Sequence, residues 1–209
     1  MEKGLESYLS EHSSAEDPLL NELYRFTYLN VVNPNMVSGH LQGKFLEFIT
    51  YMMKPKLVLE IGTFTGYSAI CIARALPEGG LLHTIEENDE LKCVINRFLI
   101  KGGVAERIVL HIGRAQRIVP TLGLKFDMIF IDGDKREYAD YYMLALDHLA
   151  PGGVILADNV LWGGKVREGE SRDPQTRGII EFNKMVKEDD SVVKVILPLR
   201  DGIMLIRRK

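Results

Sequence analysis

The sequence predicts an α/β fold in which a mostly parallel sheet carries helices on both faces. From residue 57 to the C-terminus, short apolar runs rich in β-branched residues alternate with helical patterns, as in parallel sheets with crossover helices. The last two runs, 192–199 and 202–208, are separated only by a tight turn at Arg200 and Asp201. A crossover needs more chain than that, so we expect this pair to form an antiparallel C-terminal hairpin.

Residues 1–56 predict helices that have no strand partners. Asp17-Pro18 is a helix start signal, and an apolar stripe follows it until Asn33-Pro34 interrupts the pattern. A second helical pattern carries apolar residues between Leu41 and Ile49. We expect this segment to cap the domain, to close a pocket or to form an interface with another chain.

The elements after residue 56 follow from periodicity and turn signals. The predicted strands cover residues 57–61, 81–86, 107–113, 126–132, 154–158, 192–199 and 202–208. The predicted helices between them cover residues 68–75, 89–101, 138–149 and 176–187. Gly102-Gly103 and Pro151-Gly152-Gly153 end two of these helices. A chain of 209 residues is by default one domain, so we predict a single domain over 1–209 whose cofactor-binding and catalytic core spans 57–209.

The composition is that of an ordinary globular protein, with 46% hydrophobic and 26% charged residues. A net charge of −3 gives no overall signal for nucleic acid, although a local basic patch stays open. Cys71 and Cys93 lie in apolar helical patterns, so we expect buried free thiols in a reducing compartment. Neither a secretory signal nor a membrane span is visible in the sequence, so we expect a cytoplasmic protein without a membrane partner.

Oxygen-bearing side chains follow two of the predicted strands. FIDGDK (130–135) contains Asp132, and VILADN (154–159) ends in Asp158 and Asn159. Ligands of parallel sheets bind outside the carboxyl ends of the strands, so these side chains should share one crevice. Two carboxylates and one amide favour Mg²⁺, Ca²⁺ or Mn²⁺ over zinc, which prefers histidine and cysteine. The sequence therefore predicts a site for a hard divalent cation.

The turn after the first strand has the spacing ExGxxxG, with Gly62 and Gly66 after Glu60. This spacing is neither the GxGxxG fingerprint nor a P-loop, so we do not expect a diphosphate or triphosphate there. The charge of Glu60 favours a cationic ligand instead. Glu86 ends the second strand, where an acidic residue accepts hydrogen bonds from ribose hydroxyls. Alternatively, the two glutamates are capping or surface acids and Ser68 is a plain helix N-cap.

Five stretches in order resemble one family: EIGTFTGYS, the acid of TIEEN, FIDGDKREYADYY, PGGVILADNVLWGGKV and LPLRDGI. From about Val37 to the C-terminus the chain is similar to the metal-dependent O-methyltransferases, which include the caffeoyl-CoA and catechol O-methyltransferases and bacterial relatives. The resemblance implies a class I methyltransferase sheet of Rossmann-like type. It also implies S-adenosylmethionine as methyl donor.

The resemblance assigns roles by position to residues at the donor end of the site. Matched residue by residue, the donor-binding positions are Ser38, Glu60, Gly62, Thr63, Ser68, Glu86, Ala115 and Asp134. Among these, Glu86 would bind the ribose, the backbone N–H of Ala115 would face the adenine, and Asp134 would lie at the donor amino group.

The resemblance also assigns the chemical end of the site. Asp132, Asp158 and Asn159 match the metal ligands of the family, and Lys135 matches its general base. Asp132 and Lys135 are thus the expected catalytic pair. A coordinated hydroxyl loses its proton more readily, because a cation stabilises the anion that forms.

The acceptor is less well defined than the donor. We expect a small catechol-like acceptor. An alternative acceptor within the same family is a hydroxylated uridine of tRNA. A different alternative is that the chain is a nucleoside-binding or interaction protein without enzymatic activity. The tRNA alternative depends on basic residues expected near the mouth of the crevice, which are Lys135, Arg136, Lys165, Arg167, Arg172 and Arg177. The family resemblance also implies a homodimer.

Several other polar or aromatic residues have a structural interpretation. Tyr138, Tyr141 and Tyr142 follow a helical spacing, which indicates packing. We expect His40 and His111 to be structural. The sequence leaves open whether Trp162 packs in the core or walls the substrate site.

Overall fold

Seven β-strands form one central sheet in the computed structural model, which describes residues 3–209. In chain order they are β1 (Leu57–Ile61), β2 (Leu81–Glu86), β3 (Ile108–Ile112), β4 (Phe126–Ile131), β5 (Leu149–Ala157), β6 (Val192–Leu197) and β7 (Ile203–Arg208). Their order across the sheet is β3-β2-β1-β4-β5-β7-β6. The first five strands pair in parallel, and β7 pairs antiparallel with both β5 and β6. The predicted fold class is confirmed.

Eight α-helices surround the sheet within the described residues. They are α1 (Lys3–Glu11), α2 (Pro18–Asn30), α3 (His40–Met53), α4 (Tyr67–Ala75), α5 (Lys92–Lys101), α6 (Ala115–Leu122), α7 (Tyr138–His148) and α8 (Pro174–Glu188). Successive residues of a strand point to opposite faces, and the apolar core is accordingly divided in two. Val58 of β1 packs with α2 to α5 on one face, whereas Leu59 packs with α6 to α8 on the other.

The N-terminal helices share a core with the sheet. Leu23 of α2 and Leu46 of α3 are fully buried, in the same apolar cluster as Val58. Asp17 caps α2 through a 2.8 Å hydrogen bond from the Leu19 amide, with Pro18 in the first turn, as the start signal predicts. This end of the chain therefore lies against the same face of the sheet as α4 and α5.

Some element predictions were wrong. Helix α6 was not predicted, because Pro120 interrupts its pattern; burial of Val119 and its apolar neighbours against the sheet outweighs the missing amide donor. Strand β5 begins at Leu149, not at residue 154, and the proline-glycine segment forms an irregularity within it. The helix predicted from residue 89 begins at Lys92, after a 3₁₀ turn.

The two cysteines differ in their surroundings. Both are free, and Cys71 is buried as expected, but Cys93 is exposed. The prediction for Cys93 was wrong because this residue lies on the solvent side of α5, whose buried residues are Ile95, Phe98 and Leu99. No helix within residues 3–209 combines the length and the apolar character needed to cross a bilayer.

Candidate active site

The carboxyl ends of the parallel strands open into a cavity of about 880 Å³. Its wall is built from the segments that follow β1, β2, β3, β4 and β5, and from the turn between β6 and β7. The loop between α2 and α3 closes one side with Asn33, Asn35, Met36, Val37 and Ser38. This is the position in which open α/β sheets bind their ligands.

Most of the site residues predicted from the sequence line this one cavity. They are Ser38, Gly62, Thr63, Ser68, Glu86, Ala115, Asp132, Asp134, Lys135, Asp158 and Asn159. Glu60 does not line it, because its side chain is fully buried in the sheet. The structure thus brings together residues that are up to 121 positions apart, from Ser38 to Asn159 (159 − 38).

Glu60 lies beneath the turn that follows β1. Its Oε2 accepts a 2.5 Å hydrogen bond from Thr84, whose hydroxyl lies 2.6 Å from that of Thr63. Thr84 has one proton to give, so Thr63 donates to Thr84. Burial raises the pKa of Glu60 to about 8, against the effect of the Ser68 and Thr84 hydroxyls. The Oε1 atom of Glu60 is buried without a hydrogen-bond partner.

Gly62 is required by a close approach of two chain segments. Its φ is +100°, and a Cβ atom there would overlap the carbonyl oxygen of Asp132 and lie 2.9 Å from the amide nitrogen of Gly133. Glycine removes both obstacles. Gly62 therefore lets the segment after β4 approach the turn after β1.

Glu86 ties this turn to the end of β2. Its Oε2 accepts a 2.7 Å hydrogen bond from the Phe64 amide, and its Oε1 accepts a 2.9 Å hydrogen bond from the Asn88 amide. Burial raises the pKa of Glu86, although these backbone donors lower it. A carboxylate has more acceptor lone pairs than these two hydrogen bonds use. Glu86 lines the cavity, so it can still accept a hydrogen bond from a ligand hydroxyl.

Two carboxylates, those of Asp132 and Asp158, follow the adjacent strands β4 and β5. Asp158 is 3% exposed; its Oδ2 accepts a 2.6 Å hydrogen bond from Gln42, while its Oδ1 is buried without a partner. Burial and the charge of Asp132 raise the pKa of Asp158 to about 7, against the effect of Lys135. Burial also raises the pKa of Asp132, while Lys135 and Arg200 lower it. Two such anions in one low-dielectric space call for a cation.

Asn159 completes the predicted ligand set. It lines the cavity beside Asp158 and adopts a left-handed conformation with φ of +58°, which asparagine tolerates better than most residues. Among residues 3–209 no cluster of three or more histidine, cysteine or acidic side chains suited to a metal is found. Two carboxylates, of which Asp158 has an unpartnered oxygen, and one amide instead fit a hard cation that prefers oxygen ligands.

Lys135 contacts one of the two carboxylates, that of Asp132, directly. It is 9% exposed, and its Nζ donates to Asp132 Oδ1 at 2.7 Å and to the Tyr138 hydroxyl at 2.7 Å. Tyr138 in turn donates to the backbone oxygen of Asp158 at 3.0 Å. Burial holds the pKa of Tyr138 well above its usual range, so this phenol stays protonated. The sequence indicated packing for Tyr138, and its place three residues after Lys135 was the available signal for a second role.

Gln42 and Arg200 belong to the site and were not predicted. Gln42 lies on α3 with 1% exposure, and its Nε2 donates to Asp158. Arg200 lies in the turn between β6 and β7, and its Nη1 donates to Gln42 Oε1 at 2.6 Å. No local pattern could reveal this pair, because 158 positions separate the two residues.

The remaining predicted residues have defined surroundings. Asp134 forms an ion pair with Arg136 and accepts its amide at 3.0 Å, which caps a short 3₁₀ turn. Trp162 lines the cavity and also donates through Nε1 to the Thr176 hydroxyl at 3.0 Å, so it serves as both wall and packing residue.

The two histidines lie where a structural role places them. The Nε2 atom of His40 lies 2.7 Å from the backbone oxygen of Ser14. The Nε2 atom of His111 lies 3.0 Å from the Nδ1 atom of His83. Neither histidine lines the cavity.

The basic residues expected at the mouth do not form a patch around the cavity. Of the six, Lys135 lines the wall and is paired with Asp132, and Arg136 is paired with Asp134. The other four do not line it. Arg114, which does, is paired with Glu87 and Glu137. The tRNA alternative is therefore not favoured.

Fold and site together define an α/β protein with a ligand-sized cavity at the carboxyl ends of its parallel strands, lined by two carboxylates. The family profile described as O-methyltransferase matches residues 10–209 of the chain. The chain therefore belongs to the O-methyltransferase family, as the resemblance implied.

Named relatives agree with this assignment. The catechol O-methyltransferase of Niastella koreensis is 38% identical over 172 residues, which cover 80% of this chain and 75% of that protein. Among solved structures, one similar protein is the O-methyltransferase TomG of Streptomyces achromogenes, which is involved in tomaymycin synthesis and was solved with S-adenosylmethionine. Its TM-score is 0.91 and its identity to this chain is 31%. The match covers 100% of this chain and 99% of that one. The O-methyltransferase of Bacillus cereus, solved with S-adenosylhomocysteine, has a TM-score of 0.88 and 28% identity, with 99% and 97% covered.

Proposed function

We propose that this enzyme transfers a methyl group from S-adenosylmethionine to one hydroxyl of a small aromatic acceptor with two adjacent hydroxyls, and that it needs a divalent cation. The related TomG and Bacillus cereus structures contain the donor or its demethylated product. The relative from Niastella koreensis carries the name catechol O-methyltransferase. These likenesses support the donor and the acceptor class respectively.

The observation that carries the proposal is the unpartnered Oδ1 of Asp158. This atom is buried beside Asp132, in the cavity that Asn159 and Lys135 also line. A buried carboxylate oxygen without a donor is costly unless a cation binds it. The donor turn after β1 borders the same cavity, so cation and methyl donor would lie close together.

We propose that the donor occupies the part of the cavity between the turn after β1 and the ends of β2 and β3. The residues that line it there are Ser38, Gly62, Thr63, Ser68, Glu86, Ala115 and Asp134. Glu86 would accept from the ribose hydroxyls, and the amide of Ala115 would face the adenine. Glu60 acts from below, by fixing Thr84 and Thr63. When bound, S-adenosylmethionine supplies an electrophilic methyl group on a sulfonium.

The cation would be held by Asp132, Asp158 and Asn159, and Mg²⁺, Ca²⁺ and Mn²⁺ all suit this oxygen set. When bound, it would stabilise the deprotonated form of a coordinated hydroxyl and orient the acceptor ring. The protein supplies the rest of the geometry, because Gln42 and Lys135 hold the two carboxylates at 2.6 and 2.7 Å.

Lys135 is the proposed general base. Its neutral amine would take the proton from the acceptor hydroxyl, and the resulting ammonium would be stabilised by Asp132 at 2.7 Å. Tyr138 holds Nζ from the other side and keeps its own proton. The amine is thus fixed in place next to the carboxylates before the acceptor binds.

We also propose a homodimer built on α2 and α3. Large apolar side chains on these helices and on the loop that follows α2 are exposed: Leu29 by 79%, Val32 of the loop by 81%, Phe48 by 67% and Met52 by 67%. An exposed apolar surface of this kind on a globular protein marks an interaction site. A second copy of the same chain is the expected occupant.

Methyl transfer to a panel of catechols, with and without EDTA, tests the proposed activity. We expect turnover that chelation abolishes and added Mg²⁺ restores. Lys135→Met should lower kcat by about 10²- to 10⁴-fold, the usual contribution of a general base. Lys135→Arg should be as inactive, because it keeps the charge but cannot accept a proton at neutral pH.

Binding of S-adenosylhomocysteine to the two lysine variants serves as the control for folding and should match the wild type. Activity that EDTA leaves unchanged would contradict the cation requirement. If no catechol of the panel is methylated, the proposed acceptor class is wrong. An active Lys135→Arg variant would exclude Lys135 as the base.

A further inference from the structure

Three side chains from distant parts of the chain form a relay behind the carboxylate of Asp158. Arg200, in the turn between β6 and β7, donates to Gln42 Oε1 at 2.6 Å. Gln42, on α3, donates through Nε2 to Asp158 Oδ2 at 2.6 Å. Gln42 is 1% exposed, so the amide is shielded from water. Both contacts have the short distances of charge-assisted hydrogen bonds.

The polarity of the relay fixes the orientation of the amide. A guanidinium can only donate, and an ionised carboxylate can only accept. One orientation of Gln42 satisfies both neighbours, with its oxygen toward Arg200 and its nitrogen toward Asp158. In the opposite orientation the amide nitrogen of Gln42 would face the guanidinium of Arg200, and its oxygen would face the carboxylate of Asp158, so neither hydrogen bond could form. Arg200 therefore decides which atom of Gln42 meets Asp158.

The relay distinguishes the two oxygens of Asp158. Oδ2 is engaged by Gln42, and Oδ1 stays buried and without a partner. A carboxylate held through one oxygen cannot rotate freely about its terminal bond, so the other oxygen keeps one direction. We propose that Gln42 and Arg200 are positioning residues that present Oδ1 of Asp158 to the divalent cation, an inference that rests on the metal requirement of the proposed function.

Packing alone does not explain these residues. A buried amide costs free energy unless it is hydrogen-bonded, and an apolar side chain would fill the space near Gln42 without that cost. Arg200 has a φ of +50°, a conformation that glycine or asparagine adopts more readily. The side chain of Arg200 thus joins the β6–β7 hairpin to α3, and its backbone adopts an unfavourable conformation at this contact.

The substitution Gln42→Met tests the proposal, because methionine has a similar length and cannot replace the amide. Titration calorimetry with Mn²⁺, on protein without donor or acceptor, measures cation affinity directly. We expect Gln42→Met to bind Mn²⁺ about 10- to 100-fold more weakly than the wild type, as is typical when a partner of a metal ligand is lost. Arg200→Met should weaken binding in the same direction.

Thr50→Val is the matched control. Thr50 is a fully buried polar residue of the same helix, and its hydroxyl donates to the Leu46 carbonyl away from the site. This variant loses a buried hydrogen bond but should keep wild-type Mn²⁺ affinity. S-adenosylhomocysteine affinity should stay at the wild-type value in all variants, because the relay contacts the cation end of the cavity.

The outcomes separate this inference from the proposed function. If the wild type binds Mn²⁺ and both relay variants bind it equally well, the relay proposal is wrong while the metal-dependent activity stands. If the wild type binds no Mn²⁺, both the metal requirement and the relay are overturned. Should Gln42→Met fail to fold, Arg200→Met decides the question, since this residue is exposed in a turn.

Discussion

Glu60 shows how burial changes the behaviour of a single side chain. Its carboxyl is fully buried, accepts a hydrogen bond from Thr84 and has a second oxygen with no partner. Burial raises its pKa from 4.5 to about 8. The folded protein therefore holds a proton on Glu60 over a pH range in which the unfolded chain has released it.

This difference predicts a pH-dependent effect of Glu60→Gln on stability. The contribution of Glu60 is fully present below its unfolded pKa of 4.5 and is lost as pH rises towards about 8. Relative to Glu60→Gln, the wild type should lose free energy of unfolding over this range, by at most about 1.4 kcal/mol per pH unit for one proton. Urea denaturation with EDTA and without donor, at several pH values, measures this.

Glu106→Gln on the exposed surface is the control for Glu60 and should follow the wild type at every pH. Parallel stability curves for Glu60→Gln and the wild type would show that the buried carboxyl does not hold its proton in the folded state.

At the scale of elements, α8 positions the segment that carries Lys135, the proposed general base. Gly178 faces the 3₁₀ turn at Lys135–Glu137; a Cβ atom there would overlap the Lys135 carbonyl oxygen and lie 2.8 Å from the Arg136 Cα. Both obstacles are backbone atoms, which cannot rotate away. The absence of a side chain at residue 178 thus sets how closely α8 approaches the backbone of Lys135.

We predict that Gly178→Ala displaces this turn and with it Lys135. The free energy of unfolding should fall by about 1–3 kcal/mol, the usual cost of overpacking, in spite of the better helix propensity of alanine. The kcat for catechol methylation should fall more than the affinity for S-adenosylhomocysteine. Glu181→Ala, an exposed substitution on the same helix, is the control. A Gly178→Ala enzyme with wild-type stability and kcat would contradict the close contact.

At the scale of the whole molecule, the exposed apolar side chains of α2 and α3 predict self-association. Phe48→Glu combined with Met52→Glu should convert a dimer into a monomer, because charges would be buried at the interface. Light scattering after size exclusion measures the mass. Ile100→Glu removes another exposed apolar residue, on α5, and should leave the dimer intact. A monomeric wild type would contradict this proposal.

Much of the candidate site could be predicted because the carboxyl ends of parallel strands lie at the same edge of the sheet. Asp132 and Asp158 end predicted strands and Asn159 follows one, so a correct sheet places all three at one edge. The depth of Glu60 was harder to predict, because it depends on which helices cover the strand. Helix α6 was missed because its apolar face is stabilised by the sheet and not by its local sequence.

The amino-acid sequence by itself determined the strand pattern, the family and the chemical character of the residues at the strand ends. These features are local, since periodicity and strand termini are contained in short segments. The tertiary structure alone decided that Gln42 and Arg200 hold Asp158, that Tyr138 holds Lys135, and that Gly62 and Gly178 allow backbone contacts. Such contacts join atoms far apart in the chain, so their distances exist only once the sheet and its helices have packed.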